Sequence, residues 1–328
     1  MWFGNLVTLC WWDDLWLNEG FATFAGISGA HHVAPELGLH ELYVKNWILE
    51  TSMRLDALAT LHPLYKAIEK AEDIDAAFDE ISYLKGSAVV RMIQYVLGNE
   101  VFQQGLQHYL EVYKYSNANS TDLWAALNHE RFKLDENALE NEKYRNPPFG
   151  YKWYIPIWYQ TAVNDCNASY CPPEFQWLTP SDHVRAYYRI RYDNRNYDLL
   201  SKALKTENPP FSVESRCQLL DDAFVLAEAD QLNYTAALQM TEYLSYEENL
   251  LPWQIAKAGL VKISRRMGNK TAKGNIRVER FMEDHPETKK YSVFYNEIEK
   301  AKAVEKWRRL HEDEIAEWFA ARAGQALA

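Results

Sequence analysis

Apolar residues recur at steps of three and four through most of the first 130 residues, a spacing that predicts helices. The first long segment starts at Leu15 and is apolar nearly all round. One face carries Leu17, Phe21, Phe24 and Ser28, and the opposite face carries Leu15, Glu19, Ala22 and Gly26. Glu19 is thus set among apolar positions, and a buried carboxylate needs a metal, another cation or a proton. On the residues alone, an Arg or Lys partner is the alternative to a metal.

The pattern changes twice further along the chain. Residues 153–159 and 187–192 are aromatic, β-branched and roughly alternating, as in strands. Helical spacing returns from Tyr197 onward. The last predicted helix carries along one side Val304, Trp307, His311, Ile315 and Trp318. The sequence therefore predicts a mainly α chain with a small β part.

The composition fits a folded chain with sizeable cores. Hydrophobic residues make up 48% of the 328 residues, and 12 Trp and 21 Tyr supply large side chains to bury. A chain of this length is expected to form about two domains. The formal net charge of −11 argues against a nucleic-acid surface. No apolar run approaches the roughly 18 residues that a membrane-spanning helix needs, and no signal peptide is visible.

Four cysteines and four Asn-x-Ser/Thr sequons bear on the cellular compartment. Cys166 and Cys171 flank a short loop that a disulfide could close. Cys10 and Cys217 lie in apolar surroundings and are predicted to be buried thiols. The sequons, each a candidate N-glycosylation site, are Asn119, Asn167, Asn233 and Asn269. Together with the close cysteine pair they favour the secretory pathway.

The strongest chemical signal lies at the start of the chain, where Trp2-Phe3-Gly4-Asn5-Leu6-Val7-Thr8 precedes Leu17-Asn18-Glu19-Gly20-Phe21-Ala22. These two segments closely resemble the stretch that follows His-Glu-x-x-His in the M1 family of zinc aminopeptidases, the aminopeptidase N type of gluzincin. In that family eighteen residues separate the second histidine from a glutamate that is the third zinc ligand. The resemblance therefore implies that Glu19 is a zinc ligand. It also places the two histidine ligands and the general base immediately before Met1.

A second segment carries the same resemblance. Ile81-Ser82-Tyr83-Leu84-Lys85-Gly86 is similar to the Ile-Ser-Tyr-x-Lys-Gly run of the M1 family. In that family the tyrosine hydroxyl donates to the oxyanion of the tetrahedral intermediate, which implies this catalytic role for Tyr83. A phenol suits the task because it donates a hydrogen bond while it stays neutral at pH 7. The alternative is a core tyrosine whose hydroxyl is satisfied by the fold.

None of the nine histidines completes a His-Glu-x-x-His motif. That motif places two imidazoles on one helix face and provides a glutamate as base for a metal-bound water. The His-Glu pairs at residues 40–41, 129–130 and 311–312 lack the second histidine, and the adjacent His31 and His32 point to different sides of a helix. One carboxylate does not make the usual three-ligand zinc site. Zinc binding and catalysis are therefore not expected of this chain by itself.

The resemblance extends in pieces over nearly the whole chain. It implies the C-terminal half of a thermolysin-like catalytic domain at residues 1–130. A remnant of a small β-sandwich follows at 131–195, and a helical-repeat C-terminal domain at 196–328. It further implies a shortened zinc metallo-aminopeptidase that removes N-terminal residues from peptides, as a plasma-membrane ectodomain or a secreted protein. Peptides and an intact M1 family member are the expected partners. The alternative is a non-catalytic relative that binds peptides or a partner protein.

Residues 1–130 are expected to fold poorly without the other half of the catalytic domain. The large side chains without evident partners in the sequence are Trp2, Trp11, Trp12, Trp16, Phe21 and Phe24. Large exposed apolar patches favour aggregation. The region after Tyr197 is expected to retain more order.

Overall fold

A computed structural model describes residues 2–134, 156–161, 177–180, 182–206, 208–267, 306–307, 309–318 and 321. Most of these residues are helical, which confirms the mainly α prediction. By its internal contacts the chain forms two compact units. The first unit comprises Met1–Ile190 with Phe211–Gln218, and the second comprises Arg191–Pro210 with Leu219–Ala328. The division into three domains at residues 130 and 195 stays a prediction.

The first unit opens with strand β1 (Val7–Leu9) and helix α1 (Leu15–Val33), which a short helix α2 (Leu39–Tyr43) follows. A π-helix (Val44–Ser52) continues α2 and leads into helix α3 (Met53–Asp56). A long connection then reaches a second π-helical segment (Ile81–Lys85), which we call the Tyr83 turn. The Tyr83 turn runs directly into helix α4 (Gly86–Leu97).

The same unit continues with helix α5 (Asn99–Tyr113), strand β2 (Ser116–Ala118) and helix α6 (Ser120–Leu134). Strands β1 and β2 pair in parallel, with Val7 opposite Ser116 and Leu9 opposite Ala118. The strand pair and the long helices share one apolar core. Its buried members are Val7, Trp16, Leu17, Phe21, Phe24, Val90, Phe102, Tyr109, Ala118, Leu123, Ala126 and Leu127.

Helix α1 buries large side chains on one face and Leu15, at 3% exposure, on the opposite face. Leu17 and Phe21 are each 1% exposed, and the Phe21 ring stacks on Phe3 and Phe102 at centroid distances of 4.6 and 6.2 Å. Ala22 and Gly26, on the opposite face, are exposed. The helix is apolar nearly all round in sequence, but its small residues on the opposite face lie in solvent. Glu19 lies at the border of the two faces and is half-buried.

Several of the large aromatic side chains do find partners within the chain. Trp16 stacks on Trp124 at 6.2 Å, and Phe24 meets Phe102 edge to face at 5.9 Å. The expectation that the aromatic residues of the first helix lack partners is thus wrong for Trp16, Phe21 and Phe24. It is also wrong for Trp12, whose ring lies 6.0 Å from that of Phe78, and for Trp11, whose indole N–H donates to the Ile68 carbonyl at 2.7 Å. Trp2 is 64% exposed.

The described β structure beyond residue 134 is one small antiparallel pair, β3 (Gln160–Thr161) and β4 (Leu178–Thr179), with Gln160 opposite Thr179. Residues 187–192, predicted as a strand, form none, because individual side chains hold this segment. The Tyr187 hydroxyl lies 2.8 Å from Ser52 Oγ, and the Tyr188 hydroxyl donates to the Pro180 carbonyl at 2.5 Å. Residues 153–155 of the other predicted strand lie outside the described residues.

Helices dominate the second unit, as predicted. They are α7 (Asn194–Leu204), α8 (Val213–Glu228), which belongs to this unit from Leu219 on, α9 (Tyr234–Gln239) and α10 (Leu250–Met267). Residues 309–318 are also helical. Trp307 and Ile315 of the last predicted helix are 8% and 0% exposed, which confirms its core-facing side, and Val304 lies outside the described residues.

The two cysteines that the structure describes differ in exposure. Both are free thiols. Cys217 is fully buried, as predicted. Cys10 is exposed, so its predicted burial is wrong. Its backbone N–H donates to the Ala118 carbonyl at 3.1 Å beyond the end of β1, while its side chain lines an open cavity.

Candidate active site

The structure brings Glu19 and Tyr83 together although they lie far apart in the sequence. The Tyr83 hydroxyl lies close to the Glu19 carboxylate. Burial raises the pKa of Tyr83 above its ordinary value, and the neighbouring Glu19 carboxylate adds to this rise. Both side chains are half-buried. The result is a protonated phenol that faces a carboxylate at the edge of the solvent.

Backbone contact between α1 and the start of α4 makes this meeting possible. Gly20 follows Glu19 directly, and Gly86 comes three residues after Tyr83. The two glycines face each other, so the two segments approach without side chains between them. Glu19 and Tyr83 flank this point of closest approach.

The Tyr83 turn has its own N-terminal cap. One carboxylate oxygen of Asp79 accepts hydrogen bonds from the backbone N–H groups of Ile81 and Ser82, each at 3.0 Å. The backbone carbonyl of Asp79 accepts from the Tyr83 N–H at 3.1 Å. Our reading of the sequence missed Asp79, although an acidic residue just before a helical segment is a recognisable cap. At the other end of the turn, Lys85 Nζ pairs with Asp56 Oδ1 at 2.6 Å.

A second tyrosine nearby has the purely structural role that was the alternative for Tyr83. The Tyr43 hydroxyl is buried and donates to Ser87 Oγ at 2.9 Å, and Ser87 Oγ donates to the Leu84 carbonyl at 2.9 Å. Burial raises the pKa of Tyr43 to about 12. Tyr43 is thus satisfied within the core, whereas Tyr83 meets a half-buried carboxylate.

A cavity of about 330 Å³ opens beside Glu19. Aromatic and aliphatic side chains form most of its wall, and the rings of Trp12 and Phe78 lie 6.0 Å apart there. Its polar lining comes from Thr8, Cys10, Asn18 and Glu19. Glu19 brings a negative charge to an otherwise apolar recess, an arrangement that favours a bound cation. The sequence pattern did not indicate this cavity, because its walls come from separate segments.

The residues in view do not by themselves fit a complete zinc site. Among the described residues, no group of three or more His, Cys, Asp or Glu side chains is arranged to hold a metal ion. The described partner of Glu19 is the Tyr83 hydroxyl, which is not a metal ligand of the usual kind. Glu19 can therefore offer one carboxylate to a metal, and the remaining ligands are not found in the part of the chain that the structure covers.

Two of the four sequons can be located. The Asn119 side chain is half-buried and caps α6, with Oδ1 accepting from the Asp122 N–H at 3.1 Å. Asn233 is exposed at the start of α9, and its side chain makes no capping hydrogen bond. Asn167, Asn269, Cys166 and Cys171 lie outside the described residues, so their predicted modifications are untested.

Comparison with known proteins matches both parts of the chain. The family described as the peptidase family M1 domain matches residues 1–141, and the ERAP1-like C-terminal domain matches residues 177–289. The glutamyl aminopeptidase of Homo sapiens is 34% identical over 304 residues, covering 77% of this chain and 31% of its own length. The aminopeptidase Ey of Gallus gallus is 34% identical over 309 residues, covering 78% of this chain and 31% of its own length. The aminopeptidase N of Haemonchus contortus is 29% identical over 331 residues, covering 81% of this chain and 33% of its own length.

The chain thus spans about a third of the length of the curated relatives it matches. Within the described ranges, no helix is both long enough and apolar enough to cross a membrane.

Proposed function

The chain belongs to the M1 family of peptidases, and on that premise we propose that residues 1–134 carry the Glu19 and Tyr83 side of an aminopeptidase active site. The observation that carries this proposal is the proximity of the Tyr83 hydroxyl to the Glu19 carboxylate, which lines the cavity. Each residue comes from a different M1 motif. The reaction class is removal of N-terminal residues from peptides.

The two residues have different tasks in this proposal. In a complete site Glu19 would hold zinc through its carboxylate, and zinc would supply the activation of water known for this family. Tyr83 donates a hydrogen bond to the oxygen that becomes negatively charged when the peptide carbonyl is attacked. Its raised pKa keeps the phenol protonated at neutral pH, and donation requires that form.

We further propose that the 328-residue chain alone does not hydrolyse peptides. None of its nine histidines lies in a His-Glu-x-x-His motif, and one carboxylate holds zinc weakly. Activity would need a segment that supplies two imidazoles and a base. The alternative is a non-catalytic relative that binds peptides or an intact M1 family member. That alternative is favoured if this chain binds peptides but shows no chelator-sensitive hydrolysis in any reconstituted form.

A chimeric enzyme tests the catalytic proposal. Residues 1–134 replace the corresponding segment of the aminopeptidase N of Rattus norvegicus, which is 31% identical to this chain over 314 residues. The chimera should hydrolyse aminoacyl anilides, and Tyr83→Phe should lower kcat by about 100- to 1,000-fold with zinc content unchanged. Glu19→Gln should lower zinc content and activity together.

The matched control is Tyr115→Phe, because Tyr115 is 87% exposed and its hydroxyl lies outside the site. This variant should keep full activity. A folded, zinc-loaded chimera that is indifferent to Tyr83→Phe would refute the role of Tyr83.

For localisation we propose the secretory pathway, with the chain facing the outside of the cell. The support is the set of four sequons together with the exposed position of Asn233.

A further inference from the structure

We propose that His62 is a positioning residue for Tyr83, a role that rests on the proposed function of Tyr83. His62 lies in the long connection between α3 and the Tyr83 turn. Its Nε2 is 2.7 Å from Asp79 Oδ2, and Asp79 Oδ1 caps the Tyr83 turn. His62 therefore acts on Tyr83 through one intermediate residue and does not touch the cavity lining itself.

Both ring nitrogens of His62 lie near hydrogen-bond acceptors. Nδ1 lies 2.7 Å from the Pro63 carbonyl oxygen, and Nε2 lies 2.7 Å from the Asp79 carboxylate. An ionised carboxylate only accepts hydrogen bonds, so Nε2 of His62 donates to Asp79. The side chains of His62 and Asp79 are 17% and 24% exposed, so solvent screens this pair only in part.

The two carboxylate oxygens of Asp79 have different partners. Oδ1 accepts hydrogen bonds from the N–H groups of Ile81 and Ser82, and the main-chain carbonyl of Asp79 accepts one from the N–H of Tyr83. Oδ2 has His62 as its partner. Without His62, the Asp79 carboxylate can rotate about its side-chain bonds and release one or both amides. The backbone hydrogen bonds that hold the Tyr83 turn, and with it the Tyr83 side chain near Glu19, would then break more often.

The connection that carries His62 is itself anchored to the wall of the cavity. Asp13 Oδ1 accepts from the Ile68 N–H at 2.7 Å, and the Trp11 indole N–H donates to the Ile68 carbonyl at 2.7 Å. His62 lies in the same connection as Ile68 and binds Asp79. The connection thus contacts both the cavity wall and the residue that caps the Tyr83 turn.

Hydrogen–deuterium exchange of the 328-residue chain, followed by mass spectrometry, tests the inference without any catalytic assay. His62→Ala should speed exchange in peptides that cover residues 81–85 by about tenfold, because the hydrogen bond that holds Asp79 Oδ2 is lost from the local opening equilibrium. Peptides from α5 and α6 should not change. Nitration of Tyr83 by tetranitromethane should rise several-fold, since a looser Tyr83 turn leaves the phenol more accessible, while nitration of buried Tyr43 should stay constant.

His62→Gln supplies the rescue, because a glutamine amide can still donate to Asp79 Oδ2. It should restore slow exchange and low Tyr83 nitration in large part. If His62→Ala does not fold, Asp79→Asn replaces it, since this change keeps an acceptor for the amides and removes the charge. Unchanged exchange at residues 81–85, or an equal rise in all peptides, would overturn the proposal.

This test is independent of the chimera. A chimera without activity would contradict the proposed function and leave the exchange result intact. Likewise, faster exchange confined to residues 81–85 would not restore a catalytic proposal that the chimera had contradicted.

Discussion

Gly20 of α1 and Gly86 at the start of α4 lie in direct backbone contact. A Cβ atom built on Gly20 would be 2.7 Å from the carbonyl carbon of Gly86, well inside normal packing distance. A Cβ atom on Gly86 would in turn be 3.1 Å from the carbonyl oxygen of Trp16. Because both neighbours are backbone atoms, neither can move aside as a flexible side chain would. The placement of Glu19 against Tyr83 depends on this contact.

Gly20→Ala is therefore expected to destabilise the first unit by about 1–3 kcal/mol, the usual cost of overpacking. The matched control is Gly26→Ala in the same helix, where an added Cβ meets nothing within 4 Å. Because alanine favours a helix more than glycine does, the control should stabilise by about 0.5–1 kcal/mol. Urea unfolding followed by tryptophan fluorescence measures both. Equal effects of the two substitutions would contradict the close-contact account.

The resemblance of two segments to M1 motifs is the basis on which we propose that Glu19 and Tyr83 share a site, because each segment is long and chemically specific. The face of α1 was harder to predict. Ala22 and Gly26 read as apolar in a pattern, but small residues bury little area and tolerate solvent. The exposure of Cys10 and the bond between His62 and Asp79 could not be predicted, because both depend on how a long irregular connection lies against distant segments.

Zinc content offers a direct prediction for the chain by itself. One carboxylate from Glu19 is too few ligands for tight binding. After dialysis against a chelator and then buffer, the purified chain is expected to retain far less than one zinc ion per molecule by atomic emission. One tightly held zinc per chain that Glu19→Gln removes would contradict this and would mean that further ligands come from outside the described residues.

Acid should weaken the first unit through His40. Burial lowers the pKa of His40 from its ordinary value of 6.5, and the charges of His31 and Arg91 lower it further. The folded chain then binds fewer protons at this site than the unfolded chain. The contribution of His40 to the unfolding free energy is therefore most favourable above pH 6.5 and is lost as pH falls below that value. The His31 and His40 rings lie 4.1 Å apart, which makes a shared positive charge costly.

His40→Gln should accordingly flatten the fall in unfolding free energy between neutral and acidic pH. The exposed neighbour His32 provides the control, and His32→Gln should leave the slope unchanged. Urea titrations at several pH values give the slopes. A His40→Gln variant with the full acid dependence would assign that dependence to other groups.

Glycosylation should distinguish the two sequons that the structure describes. Asn233 is exposed, so it should carry a glycan when the chain is made in a secretory host. Asn119 is half-buried and its side chain is engaged in capping α6, so occupancy there should be lower. Peptide mass spectrometry after enzymatic deglycosylation reads both sites. Higher occupancy at Asn119 than at Asn233 would contradict the prediction.

In the second unit, the Tyr234 hydroxyl is the shared acceptor for two donors. The Trp307 indole N–H donates to it at 2.9 Å and Arg266 Nη1 at 3.2 Å, and the Trp307 bond is buried. Tyr234→Phe would remove the acceptor and leave the buried indole N–H without its partner. Arg266 would keep its 2.6 Å ion pair with Glu228. The expected loss is about 1–3 kcal/mol of unfolding free energy, the cost of an unsatisfied buried donor.

Tyr246→Phe, which alters a tyrosine that is 62% exposed, should change the unfolding free energy very little. Thermal and urea unfolding of both variants decide the matter, and an equal loss in the two would show that Tyr234 does not act through this shared acceptor.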